Sequence, residues 1–144
     1  MSDRTYWLSL FNQTTWREFL EAGGEVMGFP EIRQKVVRKI CPGDYLLAYM
    51  TGVSRWIAVL EVTDEAFDDL SRIWSQALFP CRVNVKVINS VDIEKGIPAL
   101  SLSKKLRMFD DLKTPNWGLL FRVAPKELYP EDGRVIFEAI QSVK

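Results

Sequence analysis

The residues of this sequence that are best suited to chemistry are aromatic and amide side chains at the ends of predicted strands and in the loops that follow them. A flat aromatic ring can hold another flat ring, because stacking of a base on a side-chain ring is worth roughly 1 to 3 kcal/mol. Strand ends and their loops are also where small barrels place binding pockets. The pattern therefore predicts a pocket for a planar group. Its members are Phe11, Asn12, Trp16, Met27, Gly28, Phe29, Tyr49, Phe79 and Pro80.

Aromatic residues make up 12% of the chain, with 5 Trp, 8 Phe and 4 Tyr, which is more than a core of this size requires. Those that fall within an apolar period are expected to fill the core, and the others remain for a pocket. The predicted core aromatics are Trp7, Phe19, Phe67, Trp74 and Phe137.

The 144-residue chain contains no histidine. This absence excludes a Ser-His-Asp or Cys-His nucleophile pair, a histidine-ligated zinc ion and a histidine general base that works near neutral pH. A phosphate-cradling glycine loop is also missing, since neither GxGxxG nor GxxxxGKS/T occurs. The sequence therefore disfavours much hydrolytic chemistry and nucleotide hydrolysis in particular, and we expect no cofactor and no metal.

Two acidic patterns leave an enzymatic alternative open. Asp111, Leu112 and Lys113 form the end of an acid-x-Lys pattern of the kind found in metal-dependent nucleases, without an obvious partner acid on a preceding strand. The acids between Glu61 and Asp69 have an oxygen chemistry that suits a hard cation, but helical spacing would spread them around a surface. We interpret both patterns as solvated surface charge.

Cysteine usage and hydropathy indicate the compartment. Cys41 and Cys81 are far apart and form no CxxC pattern, so they are predicted to be buried free thiols in a reducing environment. The first apolar run ends at once in Asn12 and Gln13, and no stretch approaches the roughly 18 apolar residues that a membrane helix needs. We therefore expect a cytoplasmic protein without a signal peptide and without a membrane partner.

Hydrophobic periodicity predicts five strands, interrupted by helices at irregular intervals. A capping-box pattern at Thr15 and Glu18 marks the start of the first helix, and Gly23 and Gly24 mark its end. Because this order does not fit regular βαβ winding, we expect one α+β domain over residues 1–144, a small mixed β-barrel flanked by helices. The predicted strands are Tyr6–Phe11, Tyr45–Met50, Arg55–Thr63, Arg82–Val87 and Gly118–Val123; the predicted helices follow Thr15, cover Ile32–Ile40 and Asp64–Leu78, and follow Pro130; loops cover Glu25–Pro30 and most of Asn89–Asn116.

An ordered set of short motifs resembles the EVE domain, a member of the PUA-like superfamily beside the YTH and ASCH domains. The resemblance spans nearly the whole chain and implies a PUA-like β-barrel flanked by helices. It also implies a reader of modified bases in DNA or RNA, which takes a flipped nucleotide into an aromatic-lined pocket and needs neither metal nor cofactor. The motifs are Tyr6-Trp7-Leu8, Asn12, Trp16, Val26-Met27-Gly28-Phe29-Pro30, Pro42-Gly43-Asp44, Tyr49, the strand Ile57–Val62 and Phe79-Pro80-x-Arg82-Val83.

The resemblance also implies individual roles. Asn12 matches the polar position that contacts the base edge, and Trp16 follows in the segment that borders the pocket. Met27 stands where the family usually has a tryptophan wall, so a polarizable thioether replaces a stacking surface. Either Phe29 compensates for this loss, or the pocket is wider or weaker than in the family. The implied base pocket consists of Ser9, Leu10, Asn12, Trp16, Met27, Gly28, Phe29, Tyr49, Phe79, Pro80 and Arg82.

Phosphate binding needs local positive charge, because 19 Lys plus Arg balance 19 Asp plus Glu and leave no bulk positive field. Two basic groups are candidates for phosphate contacts. We therefore expect weak, salt-sensitive binding by the domain alone. The candidates are Arg33, Lys35, Arg38 and Lys39 in one group and Lys104, Lys105 and Arg107 in the other.

The expected ligand is a modified cytosine in DNA, and relatives of this kind occur alone or fused to the nucleases and motors of modification-dependent restriction systems. The expected partners are thus a nucleic acid with a modified base and a nuclease or motor. Modified-base binding in RNA and a small nucleic-acid-processing enzyme remain alternatives. A third alternative is an interaction module whose pocket is vestigial and filled by its own Met27.

Overall fold

The computed structural model describes residues 4–143, which form a curled mixed β-sheet, half of a barrel, with helices packed against it. The strands are β1 Tyr6–Phe11, β2 Val26–Phe29, β3 Tyr45–Met50, β4 Arg55–Val62, β5 Phe67–Asp68, β6 Cys81–Ser90, β7 Ile97–Pro98 and β8 Lys126–Glu127; the α-helices are α1 Gln13–Glu21, α2 Gln34–Val37, α3 Arg107–Asp110 and α4 Pro130–Gln141; 3₁₀ helices cover Glu31–Arg33, Ile93–Lys95, Ala99–Leu102 and Trp117–Phe121. The strand order is β2-β6-β4-β3-β1-β8, with short β5 beside β6 and β7 beside β4. Among these described strands, only β1 and β3 pair in parallel.

The centre of the sheet is buried on both faces. Every residue of β3 is buried, and its neighbour β4 is buried along most of its length. Two apolar clusters result, one on each face: Trp7 and Leu46 belong to the first, and Leu8 and Leu47 belong to the second with Ile136 of α4. This explains why both strands appear in the sequence as nearly continuous apolar runs rather than as alternating ones.

The first helix begins three residues earlier than the sequence predicts. Asn12, and not Thr15, is the N-cap: its side chain accepts a hydrogen bond from the Thr15 N–H, and the Thr15 hydroxyl accepts one from the Asn12 N–H. The capping box is therefore real but is shifted by one turn. Because Asn12 is the N-cap, its side-chain oxygen is engaged by the backbone of α1.

Three further expectations about local structure were wrong, and a fourth was correct only in part. Residues 26–29, predicted as loop, are the edge strand β2, because their apolar side chains pack in the core. Asp64–Leu78, predicted as a helix from its apolar period, is largely irregular and contains only β5, and Leu70 of that period is 75% exposed. Gly118–Val123, predicted as a strand, is mostly the 3₁₀ helix Trp117–Phe121. The predicted basic helix 32–40 is shortened to a 3₁₀ turn followed by α2.

The predictions of burial were correct only in part. Cys81 is buried, but Cys41 lies at the surface. Trp7, Phe19 and Trp74 are buried as expected, whereas Phe67 and Phe137 are only half-buried. No helix within residues 4–143 is both long and apolar enough to cross a membrane.

Two buried carboxylates tie the elements together. Asp44 accepts hydrogen bonds from the Trp7 indole at 3.0 Å and from the backbone of Thr5 and Cys41. Asp132 of α4 accepts two from the backbone N–H groups at the start of α3. Each carboxylate thus satisfies donors that the local backbone leaves unpaired.

The contact between α4 and β1 gives a test of this packing. A Cβ added at Gly133 would overlap the ring of Tyr6. Alanine is normally favoured over glycine inside a helix by about 1 kcal/mol, but overpacking typically costs about 1 to 3 kcal/mol. Gly133→Ala is therefore expected to lower the free energy of unfolding, measured by urea denaturation. The adjacent exposed Arg134→Ala should change it by less than about 0.5 kcal/mol, and a Gly133→Ala protein as stable as the parent would contradict the packing.

Candidate nucleic-acid interface

A cavity of about 230 Å³ opens between the end of β1, the start of α1 and the outer edge of β2. We call it the edge cavity. It is enclosed on one side by residues 74–79 and on the other by residues 122–124. Its lining consists of Leu10, Phe11, Asn12, Thr15, Met27, Gly28, Phe29, Pro30, Thr51, Trp74, Gln76, Phe79, Arg122 and Ala124.

Trp74 and Phe79 form an aromatic corner of the edge cavity, with ring centroids 5.5 Å apart and planes at 79°. Gly28 of β2 makes this corner possible. A Cβ at Gly28 would stand 2.6 Å from Cζ3 of Trp74 and 2.7 Å from the carbonyl oxygen of Phe79, which is closer than real side chains come. The two rings are therefore seated directly on the backbone of the edge strand.

The segment that carries these rings, residues 69–79, is held by Arg82 of β6. The Arg82 guanidinium donates to the carbonyl oxygens of Phe79 and Leu78, each at 3.1 Å, and to both the hydroxyl and the carbonyl oxygen of Ser71. Its charge is balanced by the Asp69 carboxylate at 3.7 Å, and the side chain is 1% exposed. The buried cation thus replaces the secondary structure that the segment lacks.

A second contact joins the 69–79 segment to α1. The Glu18 carboxylate accepts the backbone N–H of Ser75 at 3.1 Å, and hydrogen bonds from Ser75 lower the pKa of Glu18. Hydrogen bonds from Ser71 likewise lower the pKa of Asp69. Hydrogen bonds to the Asp69 and Glu18 carboxylates, which favour the ionised form of each, therefore help to hold the segment.

Asn12 and Gln76 form the polar side of the edge cavity. Oδ1 of Asn12 accepts the Thr15 N–H at 2.8 Å, and Nδ2 of Asn12 donates to Oε1 of Gln76 at 2.8 Å. Gln76 is exposed to solvent, whereas Asn12 is half-buried. The two amides thus place hydrogen-bonding groups at the rim of an otherwise apolar space.

The backbone of Gly28 adds a donor and an acceptor. The Val85 N–H donates to the Glu25 carbonyl at 2.8 Å, and bonded pairs recur at every second residue of an antiparallel ladder. The ladder bonds therefore fall at Met27 and Phe29, which oppose Val83 and Cys81 of β6. Gly28 points its N–H and C=O away from β6, to the edge of the sheet where the cavity lies.

The wall opposite the aromatic corner comes from the C-terminal part of the chain. The Arg33 guanidinium donates to the carbonyl oxygen of Pro125 and so ties residues 122–125 to the turn after β2. Arg122 is exposed at the rim. A cation and the apolar Ala124 thus complete the enclosure.

Six of the eleven residues implied by the resemblance line the edge cavity, and five do not. Leu10, Asn12, Met27, Gly28, Phe29 and Phe79 lie in its wall. Trp16 packs instead between Phe11 and Phe19 in the core, and Tyr49 stacks on Phe121 at 4.0 Å. Ser9 is fully buried, Pro80 is outside the lining, and Arg82 acts from behind the wall. The involvement of these residues in ligand binding stays a prediction.

Thr51, Trp74, Gln76 and Arg122 also line the cavity, although the sequence pattern did not predict them there. Trp74 is 1% exposed and packs against the ring of Phe79 from within the 69–79 segment. The pattern placed Trp74 on a predicted helix and in the core. Arg82 begins the predicted strand Arg82–Val87, and its side chain is buried.

The predicted phosphate contacts differ in their surroundings. Arg33 is the one among them that contacts a wall of the edge cavity, through Pro125. Lys35 and Lys39 are exposed on and after α2, and Lys104 and Lys105 are exposed in a turn. Arg107 is paired with Glu131 at 3.3 Å and lies over the ring of Tyr129. None of them lines the edge cavity.

The acidic patterns show no catalytic arrangement in the part of the chain that is described. Within residues 4–143, no three His, Cys, Asp or Glu side chains come close enough to hold a metal ion. Asp111 instead accepts a hydrogen bond from the Tyr129 hydroxyl. Both observations agree with solvated or structural carboxylates.

Comparisons with known proteins place the fold among YTH-like structures. No family model matches the chain. A Pyrococcus abyssi protein designated UPF0310 is 26% identical over 146 residues, which cover 92% of this chain and 96% of the relative. The YTH domain of the Zygosaccharomyces rouxii MRB1 protein, in complex with N6-methyladenosine RNA, has a TM-score of 0.67 at 15% identity and covers 99% of this chain and 90% of that one. The Mmi1 YTH domain in complex with RNA has a TM-score of 0.69 at 12% identity, over 96% and 78% of the two chains.

These likenesses confirm the predicted fold class, an α+β half-barrel of mixed strands with flanking helices. The chain is similar in structure to YTH domains and in sequence to UPF0310 proteins, and the relation to EVE domains stays a resemblance.

Replacement of Arg82 tests whether it organises the 69–79 segment. Arg82→Met approximately keeps the length of the side chain but leaves several backbone carbonyls without a donor. Each buried carbonyl that is left unpaired costs about 1 to 3 kcal/mol of stability. We expect stability to fall by at least about 2 kcal/mol and amide hydrogen exchange to accelerate first in residues 69–79. Arg72→Met is the matched control, since exposed Arg72 makes one bond within the same segment, to the Trp74 carbonyl. Uniform acceleration over the whole sheet would contradict a local role.

The lowered pKa values of Glu18 and Asp69 predict how the segment responds to acid. A carboxyl whose pKa is lower in the folded state stabilises above its unfolded pKa, and this contribution is lost as pH falls through the folded value. The Ser75 amide resonance is therefore expected to titrate with a midpoint below about pH 4.5, the ordinary value for Glu. Glu18→Gln keeps an acceptor but cannot ionise, so it should abolish the titration. A midpoint at or above the ordinary value would refute the contact.

Proposed function

We propose that the protein is a non-enzymatic reader of a modified base in nucleic acid, and that the edge cavity accepts the base after it leaves the helical stack. The observation that carries the proposal is the cavity itself: a partly open space of about 230 Å³ with an aromatic corner and an amide pair on one rim. Such a space is smaller than the roughly 300 to 1,000 Å³ of ordinary ligand pockets. It suits a single heterocycle.

The energetics of the site are consistent with base extrusion. A base leaves the stack at a cost of a few kcal/mol, which a pocket recovers by stacking and by hydrogen bonds to the polar edge of the base. Phe79 offers a half-buried ring that is supported by the buried Trp74, and the amides of Asn12 and Gln76 with the backbone of Gly28 offer hydrogen bonds. Neither histidine nor metal is needed for such a process.

Our preferred ligand is cytosine with a small 5-substituent in DNA. The lining includes the flexible apolar side chains of Leu10 and Met27, which give a methyl group an apolar environment. Met27 does not fill the space, as the vestigial-pocket alternative requires, but lies in its wall. This favours a pocket that takes a ligand over an interaction module without one.

Modified RNA is the second candidate, and the structural neighbours favour it. The Zygosaccharomyces rouxii YTH domain is in complex with N6-methyladenosine RNA, and this chain shares its fold. The same cavity argument applies to both polymers. Matched DNA and RNA therefore belong in the same binding experiment.

Phosphate contacts are proposed for the cations around the mouth of the cavity. Arg122 stands on the rim, and Arg33 joins the neighbouring turn to that wall. Because the net charge is zero, binding is expected to be weak and to fall with salt. Tight targeting would come from a nuclease or motor partner, as in a modification-dependent restriction system.

Fluorescence anisotropy with matched oligonucleotides tests the proposal. At stated low salt, the parent protein should bind a duplex or RNA with one 5-methylcytosine about tenfold or more tightly than its unmodified counterpart. Gly28→Ala should remove the difference, because its Cβ displaces Trp74 and Phe79. Gly118→Ala is the matched control, since a Cβ there meets its nearest neighbour at 3.4 Å.

Equal affinity of the parent protein for modified and unmodified strands would contradict the proposal. The same samples, incubated with Mg²⁺, are expected to show no cleavage product. Turnover by the purified chain would instead favour the nucleic-acid-processing alternative.

A further inference from the structure

The amide pair on the rim of the edge cavity has a fixed polarity. The Thr15 N–H is a backbone donor at the start of α1, so the side-chain atom of Asn12 that faces it at 2.8 Å must be the oxygen. The other side-chain atom of Asn12 is therefore the NH₂ group. It lies 2.8 Å from Gln76, whose facing atom must be the carbonyl oxygen. The helix cap thus determines the orientation of both amides, although the oxygen and the nitrogen of a side-chain amide are normally hard to tell apart.

The consequence is that this rim presents donors to a ligand. One lone pair of each amide oxygen is already engaged, by Thr15 for Asn12 and by Asn12 for Gln76. The hydrogens that remain unengaged are those of the Gln76 NH₂ group and the second N–H of Asn12. Arg122, another polar side chain on the rim, can only donate.

Acceptors lie elsewhere in the cavity. The Thr51 hydroxyl donates to the Phe11 carbonyl at 3.2 Å, which leaves the lone pairs of its oxygen for a donor of the ligand. The Gly28 carbonyl faces the cavity side of β2. Donors are therefore grouped at the Asn12 and Gln76 rim, and acceptors lie at Gly28 of the edge strand β2 and at Thr51 after β3.

The position of Gln76 is fixed by its surroundings. The backbone N–H of the preceding residue, Ser75, is held by the Glu18 carboxylate, and Arg82 holds the segment on both sides. Its side-chain carbonyl is held by Asn12. The side-chain amide of Gln76 therefore has little freedom to flip and present its oxygen, instead of its NH₂ group, to a ligand.

We propose that Gln76, oriented by Asn12, is a specificity-determining residue, and that it selects a base whose polar edge carries two adjacent acceptors, as N3 and O2 of cytosine do. The inference rests on the proposed function of the edge cavity. A ring with a protonated nitrogen at the same place, as in thymine or guanine, brings donor against donor, so the hydrogen bond that cytosine makes is lost. The rim therefore discriminates 5-methylcytosine from thymine, which carries the same methyl group.

The experiment compares two ligands that differ only at this edge. One oligonucleotide carries 5-methylcytosine and the other thymine, each opposite an abasic site, so that base pairing does not contribute. The parent protein is expected to prefer 5-methylcytosine by about tenfold. The quantity measured is the ratio of the two dissociation constants, because an added charge affects both ligands equally.

Two variants change the polarity of the rim. Gln76→Glu keeps the acceptor for Asn12 but replaces the NH₂ group by an oxygen. Asn12→Asp retains a good helix cap but cannot donate to Gln76, which must then turn its NH₂ group to the carboxylate and present its oxygen to the cavity. Both variants should lower the ratio by about tenfold or reverse it. Gln13→Glu adds the same charge at a neighbouring exposed residue outside the cavity and should leave the ratio unchanged.

The outcomes separate the two proposals. If the parent protein distinguishes 5-methylcytosine from cytosine but both variants keep the parent ratio against thymine, the inference about Gln76 is wrong and the reader function stands. If the parent protein prefers thymine, the inference is also wrong. If it binds every ligand equally, the reader function fails and the inference fails with it.

Discussion

The buried guanidinium of Arg82 is the interaction on which the candidate site depends. A cation with 1% exposure is tolerated in a protein interior only when its donors and its charge are both satisfied. Here the carbonyls of an irregular segment and the Asp69 carboxylate satisfy them. The segment in turn gains a fixed path without forming a helix or a strand. Its two cavity-facing rings, Trp74 and Phe79, owe their positions to that path.

The same constraint links the core of the sheet to the rim of the cavity. Arg82 is opposite Gly28 in the β2–β6 pair, so the residue that holds the segment and the residue that makes room for its rings share one register position. Glu18 and Asn12 of the first helix complete the attachment through Ser75 and Gln76. Sheet, helix and segment therefore meet at the cavity, and a shift in any one of them changes its shape.

Much of the fold was predictable because burial dictates it. Strands β1, β3, β4 and β6 and the last helix follow from apolar runs, alternation and the proline at the helix start. The 69–79 segment was not predictable in the same way. Phe67, Leu70 and Trp74 share a helical period, but Leu70 lies in solvent, so the period does not mark a buried face. The path of this segment is set by hydrogen bonds from the side chain of Arg82 in β6. Hydrophobic periodicity carries no information about such contacts.

The candidate site was predictable to a similar extent. Asn12, Met27, Gly28 and Phe79 came from the resemblance and from their positions at strand ends, and they meet in one cavity. Trp16 and Tyr49 have the right type of side chain but face the core, which the sequence pattern alone did not distinguish. Trp74, Gln76 and Arg122 were missed because their proximity depends on the path of irregular segments.

The central claim, that the edge cavity receives a base, is tested most directly by an NMR titration of ¹⁵N-labelled protein with a short strand that contains one 5-methylcytosine. We expect the resonances of four groups to shift first and furthest: the side-chain amides of Asn12 and Gln76, the indole N–H of Trp74 and the backbone N–H of Gly28. Shifts confined to the basic turn at Lys104 and Lys105 or to the outer face of α4, with those four groups unmoved, would contradict it.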